Sequence, residues 1–576
     1  MRSEMGKQGA AMTETLEPRR LMSVYYVNAV TGSDANNGRS FRTPWQTLTA
    51  VDSHPFRPGD RVLLSGTFVG QSLTLGSNAT GVSVDSYSYN PTTRRLAVGV
   101  PNVAVLSQVP GDGIDITTSR ISIADLTITG GPSADADYFD GIHLINDTDV
   151  PLTRETINRV SVSGFGYAGL CMQGWNSSTA DSAGFSNVVI ENSAFFSNMV
   201  SGIFVGTGDN TGNEFTPDFP ADFYVNSNLI INHCQAYDNA GYNAALTAGV
   251  DPSNINDGNF TSGGIFISSV SNALVENSTA HDNCYNANGS VGIWAFDATR
   301  VEFTADESYD NKTTGNADGD AFDLDHGVTH SIMQRDYSHG NDGSGFMITT
   351  YGGTSNDIGD IIRYCISDDD GQLNGLAAIH LLSVTGSPLI DEDVYNNTVL
   401  TGPADSGTPA ALLLETTGGD VINIADNIFY TTGSSPLVVD ATPSAETRIQ
   451  GNDYWAAGAS TDFLLDWAGT TYSSLSDWQA GSGSETTSVG QVVGLSENPG
   501  LPVETITDLP IANIANLQLP IRSSLRRDGM SLETHAVRYV RARANPPFVL
   551  SDISWQGAGP RDYFNRVANH ITVGAG

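Results

Sequence analysis

The sequence predicts an all-β chain wound as a single-stranded right-handed parallel β-helix, a solenoid whose coils stack short strands into continuous sheets. Three observations predict it. The first is a repeat in which Gly or Ala precedes alternating apolar residues. Examples are Gly113-Ile-Asp-Ile-Thr, Gly141-Ile-His-Leu-Ile, Gly264-Ile-Phe-Ile-Ser, Gly292-Ile-Trp-Ala-Phe, Ala321-Phe-Asp-Leu-Asp and Gly345-Phe-Met-Ile-Thr. Ten such starts run from Gly113 to Ala411, 24 to 33 residues apart except for one step of 62 after Gly202. Strands this short bury no face alone, but stacked in register they share one core. The second observation is a following strand that ends on Asn, as in Phe195-Phe-Ser-Asn198, Ala236-Tyr-Asp-Asn239, Ala280-His-Asp-Asn283 and Ser308-Tyr-Asp-Asn311. Asn tolerates left-handed backbone geometry, and its amide can hydrogen-bond to the Asn one coil above. These Asn residues are therefore read as a turn ladder, and Asn-x-Ser/Thr matches within them as weak glycosylation signals. The third is composition. The 576 residues include 61 Gly, and only 16% are charged. No long helical periodicity and no membrane-spanning apolar run is present.

Along the chain, residues 1–24 are polar and lack the apolar centre of an ordinary signal peptide. They are read as a disordered leader. Residues 25–110 form an N-terminal cap and first coils, and 111–440 the central helix. Loop insertions near 208–224 and 240–262 account for the long step. Residues 441–576 supply the last coils and a cap, with 452–485 an irregular loop or lateral excursion. The net charge of −38 argues against a nucleic-acid partner. It suits a salty extracellular medium and divalent cations. The four cysteines, Cys171, Cys234, Cys284 and Cys365, lack metal-ligand spacing and read as buried thiols, with room for one disulfide. The expected chain is a monomer without a membrane span.

Two segments carry resemblances. Leu16-Glu-Pro-Arg-Arg-Leu-Met-Ser23 resembles the N-terminal Leu-Glu-Pro-Arg segment of large exported proteins of planctomycetes and related marine bacteria. It implies an extracellular or cell-surface location, or a periplasmic one. Tyr25-Tyr-Val-Asn-Ala-Val-Thr-Gly-Ser-Asp with Pro44-Trp-Gln-Thr-Leu48 and Arg57-Pro-Gly-Asp60 resembles the entry segment of the pectate-lyase-like β-helix superfamily. Asn516-Leu-Gln-Leu-Pro-Ile-Arg-Ser-Ser524 and Asp552-Ile-Ser-Trp-Gln-Gly557 resemble its closing coils. Lyases, hydrolases, epimerases and non-catalytic proteins share this superfamily, so the resemblance implies the fold and a glycan context rather than one reaction.

The chemistry concentrates in Asp318-Gly-Asp320-Ala-Phe-Asp323-Leu-Asp325-His326, four carboxylates and an imidazole in nine residues. With Phe322 and Leu324 inside, Asp323 and Asp325 project from the same outer face, roughly 6.5–7 Å apart, with neighbouring rungs about 4.8 Å away. Like charges so placed need compensation. The same outer columns carry Trp294, Phe296 and Gln173, with Asp297 and Tyr351 beside them. Aromatic faces next to carboxylates suit sugar rings. His143 and His380, several rungs away, read as ordinary surface residues.

Three chemistries fit. Asp323 and Asp325 are spaced as a glycosidase pair, nearer the inverting range of about 6.5–9.5 Å. Alternatively, acids hold Ca²⁺ and a base (Lys312, Arg335 or His326) removes the proton beside a uronate carboxylate. Tyr309-Asp-Asn-Lys-Thr-Thr-Gly-Asn-Ala-Asp318-Gly-Asp320-Ala-Phe322 resembles the calcium turn of the superfamily's calcium-dependent lyases, which implies Asp318 and Asp320 as metal ligands. Those lyases carry a catalytic lysine on the next strand, where this chain has Asp323-Leu-Asp325. The third reading is a non-catalytic glycan-binding or adhesin-like scaffold. The sequence leans slightly to hydrolysis of a polysaccharide by the Asp pair, with no organic cofactor.

Overall fold

The structure is a computed structural model. It describes residues 22–499, apart from 132–138, 176–182, 209–223, 242–262, 316, 351–355, 374, 405 and 487–493, and beyond them only Val537–Arg538 and Ser554–Trp555. Both predicted insertions, the 1–24 leader up to residue 21 and nearly all of 500–576 therefore lie outside the described residues.

Short parallel strands stack into a right-handed β-helix. A front sheet of 14 strands runs in chain order from Leu73–Leu75 to Thr470–Tyr472, and a 28-stranded sheet that turns a corner forms the other two walls. One coil illustrates the path. Phe322–Asp325 lies in the front sheet, Ile332–Gln334 on the second wall and Tyr337–His339 on the third. Phe346–Thr349 then returns to the front, directly beside Phe322–Asp325. All ten predicted repeat starts feed front-sheet strands in the predicted order. The predicted register holds at the acid-rich rung, where Trp294, Asp323 and Met347 are successive neighbours, as are Phe296, Asp325 and Thr349.

The core follows from period-two alternation. Ile293, Phe322, Leu324, Phe346 and Ile348 point inward with Val301, Phe303 and Met333 from the second wall. Identical side chains on adjacent rungs stack, as Phe322 and Phe346 do at 5.2 Å between ring centroids. The Asn ladder is continuous. Each side-chain amide donates to the next from Asn198 through Asn239, Asn283, Asn311 and Asn341, over 2.9–3.1 Å, and the last step is Asn341 to Asp370 at 2.7 Å. A second run joins Asn397, Asn427 and Asn452 and ends on Glu485. The expected left-handed geometry belongs to the residue before each ladder Asn: Ser197, Asp238, Asp282, Asp310 and Gly340 have φ of 51–66°. Turning there frees the Asn to point inward along the stack. The ladder also explains the repeat's glycine. A Cβ on Gly292 would lie 2.1 Å from Ser308 Oγ and 2.6 Å from Asn311 Nδ2.

The ends are closed by packing. Trp45, Leu48 and Val51 cover the first coils. At the other end, residues 452–485 are not the expected excursion. Asp453–Ala457 and Leu465–Trp467 extend the third wall and the front sheet, and the helix Leu475–Ser482 follows. That helix seats buried Trp478 against Tyr454 and Trp467, which gives the segment its reason to fold onto the coil stack. All four cysteines are buried and none is in a disulfide, so the disulfide is not formed. No helix among the described residues is long and apolar enough to cross a membrane.

Candidate active site

Asp323 and Asp325 do project from the outer face of the front sheet, because Phe322 and Leu324 fill the core. That face is nonetheless closed here: Asp323 is 1% exposed and Asp325 8%. The expected exposed aromatics are buried as well. Trp294 and Phe296 belong to a second apolar layer with Tyr167, Cys171, Phe204 and Phe266 on the outside of the front sheet. Their rings pack in file: Phe204 on Phe266 at 5.0 Å, Phe266 on Trp294 at 4.2 Å, Trp294 on Phe296 at 6.5 Å. The file ends with the His326 ring, 5.7 Å from Phe296. An apolar outer layer thus leads straight to the acids.

Burial dominates the electrostatics. It pushes the Asp323 carboxyl well above the usual carboxylate range, and the charge of Asp325 adds to this. Asp325 is raised in the same way, by burial and then by Asp318, Asp297 and Asp320, against a lowering bond from the His326 backbone. Asp318 lies in the turn before the strand, keeps partial exposure, and is raised by burial to about 6. Asp323 and Asp325 each keep one buried oxygen without a hydrogen-bond partner, as does Asp320. Buried polar atoms in native proteins are rarely left so, and a cluster of them marks a site that handles protons or ligand.

Local geometry fixes the turn. Asp318 has φ +50° and Gly319 +85°, and a Cβ on Gly319 would meet Asp342 Cβ at 3.1 Å. After the strand, Asp357 from the next coil accepts hydrogen bonds from the Gly327 and Val328 amides at 2.7 and 3.1 Å. It holds the chain just past Asp325 and His326. Asp357 stands outside any predicted strand, so no periodicity marks it.

Other predicted residues separate from the acids. Arg335 occupies the corner between Ile332–Gln334 and Tyr337–His339, on the far walls of the coil, with φ +60°. Its charged neighbours are Arg363, Glu302 and Asp336. Gln173 stands four rungs before Asp325, about 19 Å away along the sheet, and contacts His143 Nε2 at 3.4 Å. Lys312 lies in the preceding turn, its amine 3.4 Å from Asp342 and 3.8 Å from Asp310. Asp297 follows Phe296 in the turn and adds its charge to Asp325. Tyr351 lies outside the described residues.

Asp318 and Asp320, the residues expected to hold calcium, flank Gly319 in the turn before the strand. Asp320 accepts a bond from the Ser344 amide. Among the described residues, the triads of donors close enough to share one ion are Asp112–Asp115–His143 and Asp140–His143–Cys171, not a set containing Asp318 or Asp320.

The carboxyls also set a pH dependence. A carboxyl raised on folding stabilises the fold fully below its unfolded value near 3.8, and loses that contribution as pH rises through the folded value, about 6 for Asp318. Thermal stability is therefore expected to fall as pH rises from about 4 through about 6. Asp323→Asn, which keeps the shape without the charge, should flatten that fall. Melting temperatures of both proteins at the two pH values check this.

No protein-family model matches the chain. It is 25% identical over 455 residues to the lacto-N-biosidase of Bifidobacterium longum subsp. longum, a match that takes in 66% of this chain. The chain spans about a quarter of that relative's length, 27%. Among solved structures, the GH136 lacto-N-biosidase of Eubacterium ramulus is 16% identical, with a TM-score of 0.44 over 74% of this chain and 68% of that one. Pectate lyase Pel9A is 16% identical, with a TM-score of 0.41 over 97% and 96%. The A-module of the mannuronan C-5 epimerase AlgE4 of Azotobacter vinelandii is 15% identical, with a TM-score of 0.42 over 68% and 90%.

Proposed function

We propose that this chain is a glycoside hydrolase whose reaction centre is the carboxylate rung, with Asp325 and Asp318 as the working pair. The observation that carries the reading is the partnerless buried carboxylate oxygen of Asp325, at the end of a packed aromatic file and with Asp318 the first of the charges acting on it. Glycoside hydrolysis needs one carboxyl that keeps its proton and one that is ionised. Asp325 is buried among acids, which raises its carboxyl and favours the protonated form. Asp318, the first of the charges acting on Asp325, is the more exposed and ionises near 6. Asp325 accordingly protonates the leaving oxygen, and ionised Asp318 activates water or attacks the anomeric carbon. Asp323, on the same outward face as Asp325, is the most deeply buried of the three. This assignment replaces the Asp323–Asp325 pairing expected from strand alternation, because Asp318 keeps partial exposure while Asp323 is 1% exposed. The similarity to a lacto-N-biosidase supports hydrolysis, and supports a lacto-N-bioside as the first compound to try.

Elimination is less well supported, because Lys312 is engaged by two carboxylates and Arg335 lies on the other walls. The test is incubation with a chromogenic lacto-N-bioside and a panel of neutral and uronate-rich glycans. New reducing ends without the ultraviolet absorbance of an unsaturated uronate are expected, unchanged in Lys312→Ala. Unsaturated products that vanish in Lys312→Ala would replace hydrolysis by elimination.

A further inference from the structure

The geometry points to a second site, unrelated to the carboxylate rung: Asp140, His143 and Cys171 bind one divalent transition-metal ion, with Asp112 and Asp115 beside it. Two consecutive rungs repeat the same four-residue pattern, Asp112-Gly-Ile-Asp115 and Asp140-Gly-Ile-His143. Each puts a carboxylate in the turn and a second donor on the strand. Register then brings Asp115, His143 and Cys171 into one outward column as direct neighbours.

The convergence is close. The donor atoms of Asp140, His143 and Cys171 lie within 4.8 Å of one another, and so do those of Asp112, Asp115 and His143. Metal–ligand bonds of about 2.0–2.3 Å require donors roughly 3.5 Å apart, so small side-chain rotations close the set. The carboxylates are pre-oriented by the backbone. Asp112 Oδ1 accepts the Asp140 amide at 2.8 Å, and Asp140 Oδ1 accepts the Ala168 amide at 3.0 Å. The second oxygen of Asp112 faces His143 Nδ1 at 3.6 Å, and Asp115 Oδ1 faces it at 3.8 Å. Gln173 Oε1 lies 3.4 Å from the other ring nitrogen, the kind of outer contact that fixes a ligating imidazole.

An ion pair alone needs one carboxylate per imidazole. Here three carboxylates surround one imidazole, and a buried thiol joins them from the next rung. A thiol and an imidazole select a zinc-like ion over calcium, which takes oxygen ligands. Binding would release the thiol proton to solvent. His143 is five rungs from Asp323, about 24 Å along the sheet, so the ion pins the early coils rather than taking part in glycan cleavage.

Cobalt(II) is the probe, added to the full-length chain after chelator treatment. One equivalent should bind and give the intense ultraviolet thiolate-to-metal band, and zinc(II) should displace it. Cys171→Ser, a nearly isosteric change, and His143→Ala should each abolish the band, and zinc should raise the melting temperature of the wild type alone. No binding, binding without a thiolate band, or a band that survives Cys171→Ser would overturn the site. Cys234, Cys284 and Cys365 lie outside both donor triads, so survival of the band would point to one of them.

Discussion

Asp325→Asn is expected to lower kcat by about 10³-fold or more, since it removes the proton donor to the leaving group. The side chain keeps its volume and its place in the front sheet beside Phe296 and Thr349. Its amide loses the like-charge repulsion from Asp318, Asp297 and Asp320 that the carboxyl meets. The variant should therefore melt no lower than the wild type at neutral pH. A loss of activity together with unfolding would leave the chemistry unaddressed, so the melting temperature is measured on the same sample. Activity within tenfold of wild type in a folded variant would remove Asp325 from the reaction.

Asn311→Ala should produce the largest loss of stability among single substitutions away from the acids. Asn311 is fully buried. Its side-chain oxygen accepts from the Asn283 amide side chain at 3.0 Å and from the Asn283 backbone at 3.3 Å. Its side-chain nitrogen donates to Asn341 at 3.0 Å and to Ser308 Oγ at 3.0 Å. Truncation leaves several buried groups of neighbouring coils unpaired, at about 1–3 kcal/mol each. A solenoid couples mainly nearest neighbours, so the loss falls on the coils that carry the carboxylate rung. The expected result is a lower melting temperature and faster amide exchange centred on residues 283–341. A melting temperature within a degree or so of wild type for Asn311→Ala would mean that the ladder is ornamental, against the usual range for buried unpaired groups.

Much of this architecture was legible in the sequence, for identifiable reasons. Alternation of Phe322 and Leu324 with Asp323 and Asp325 sets which side chains face the core. Gly169, Gly202, Gly264 and Gly292 mark where the Asn ladder passes, and the Gly or Ala before each repeat strand lets the register be read across all ten rungs. Periodicity does not say whether the outward side meets solvent. Phe204, Phe266 and Trp294 in one outward column signal a second apolar layer, which the expectation of Trp294 and Phe296 as sugar-facing aromatics passes over. Residues near in sequence were also taken as near in space. Arg335 follows Asp325 by ten positions, yet the coil has turned onto its other walls by then. Asp318 shows the converse. It was set aside as a turn ligand, although its charge is the first of those acting on Asp325. His143 was read as a lone surface histidine because its partners, Asp112, Asp115 and Asp140, come from successive rungs rather than one motif.

The pairing of Asp318 with Asp325 is the central claim, and turnover of Asp318→Asn beside Asp323→Asn tests it most directly. Both variants remove one charge from the same cluster, so general electrostatic loss cancels in the comparison. The account predicts that Asp318→Asn loses kcat by about 10³-fold, as expected for removal of a catalytic carboxylate, while Asp323→Asn stays within about tenfold of wild type. The reverse order would restore the strand pair Asp323–Asp325 as the reaction centre and contradict the account.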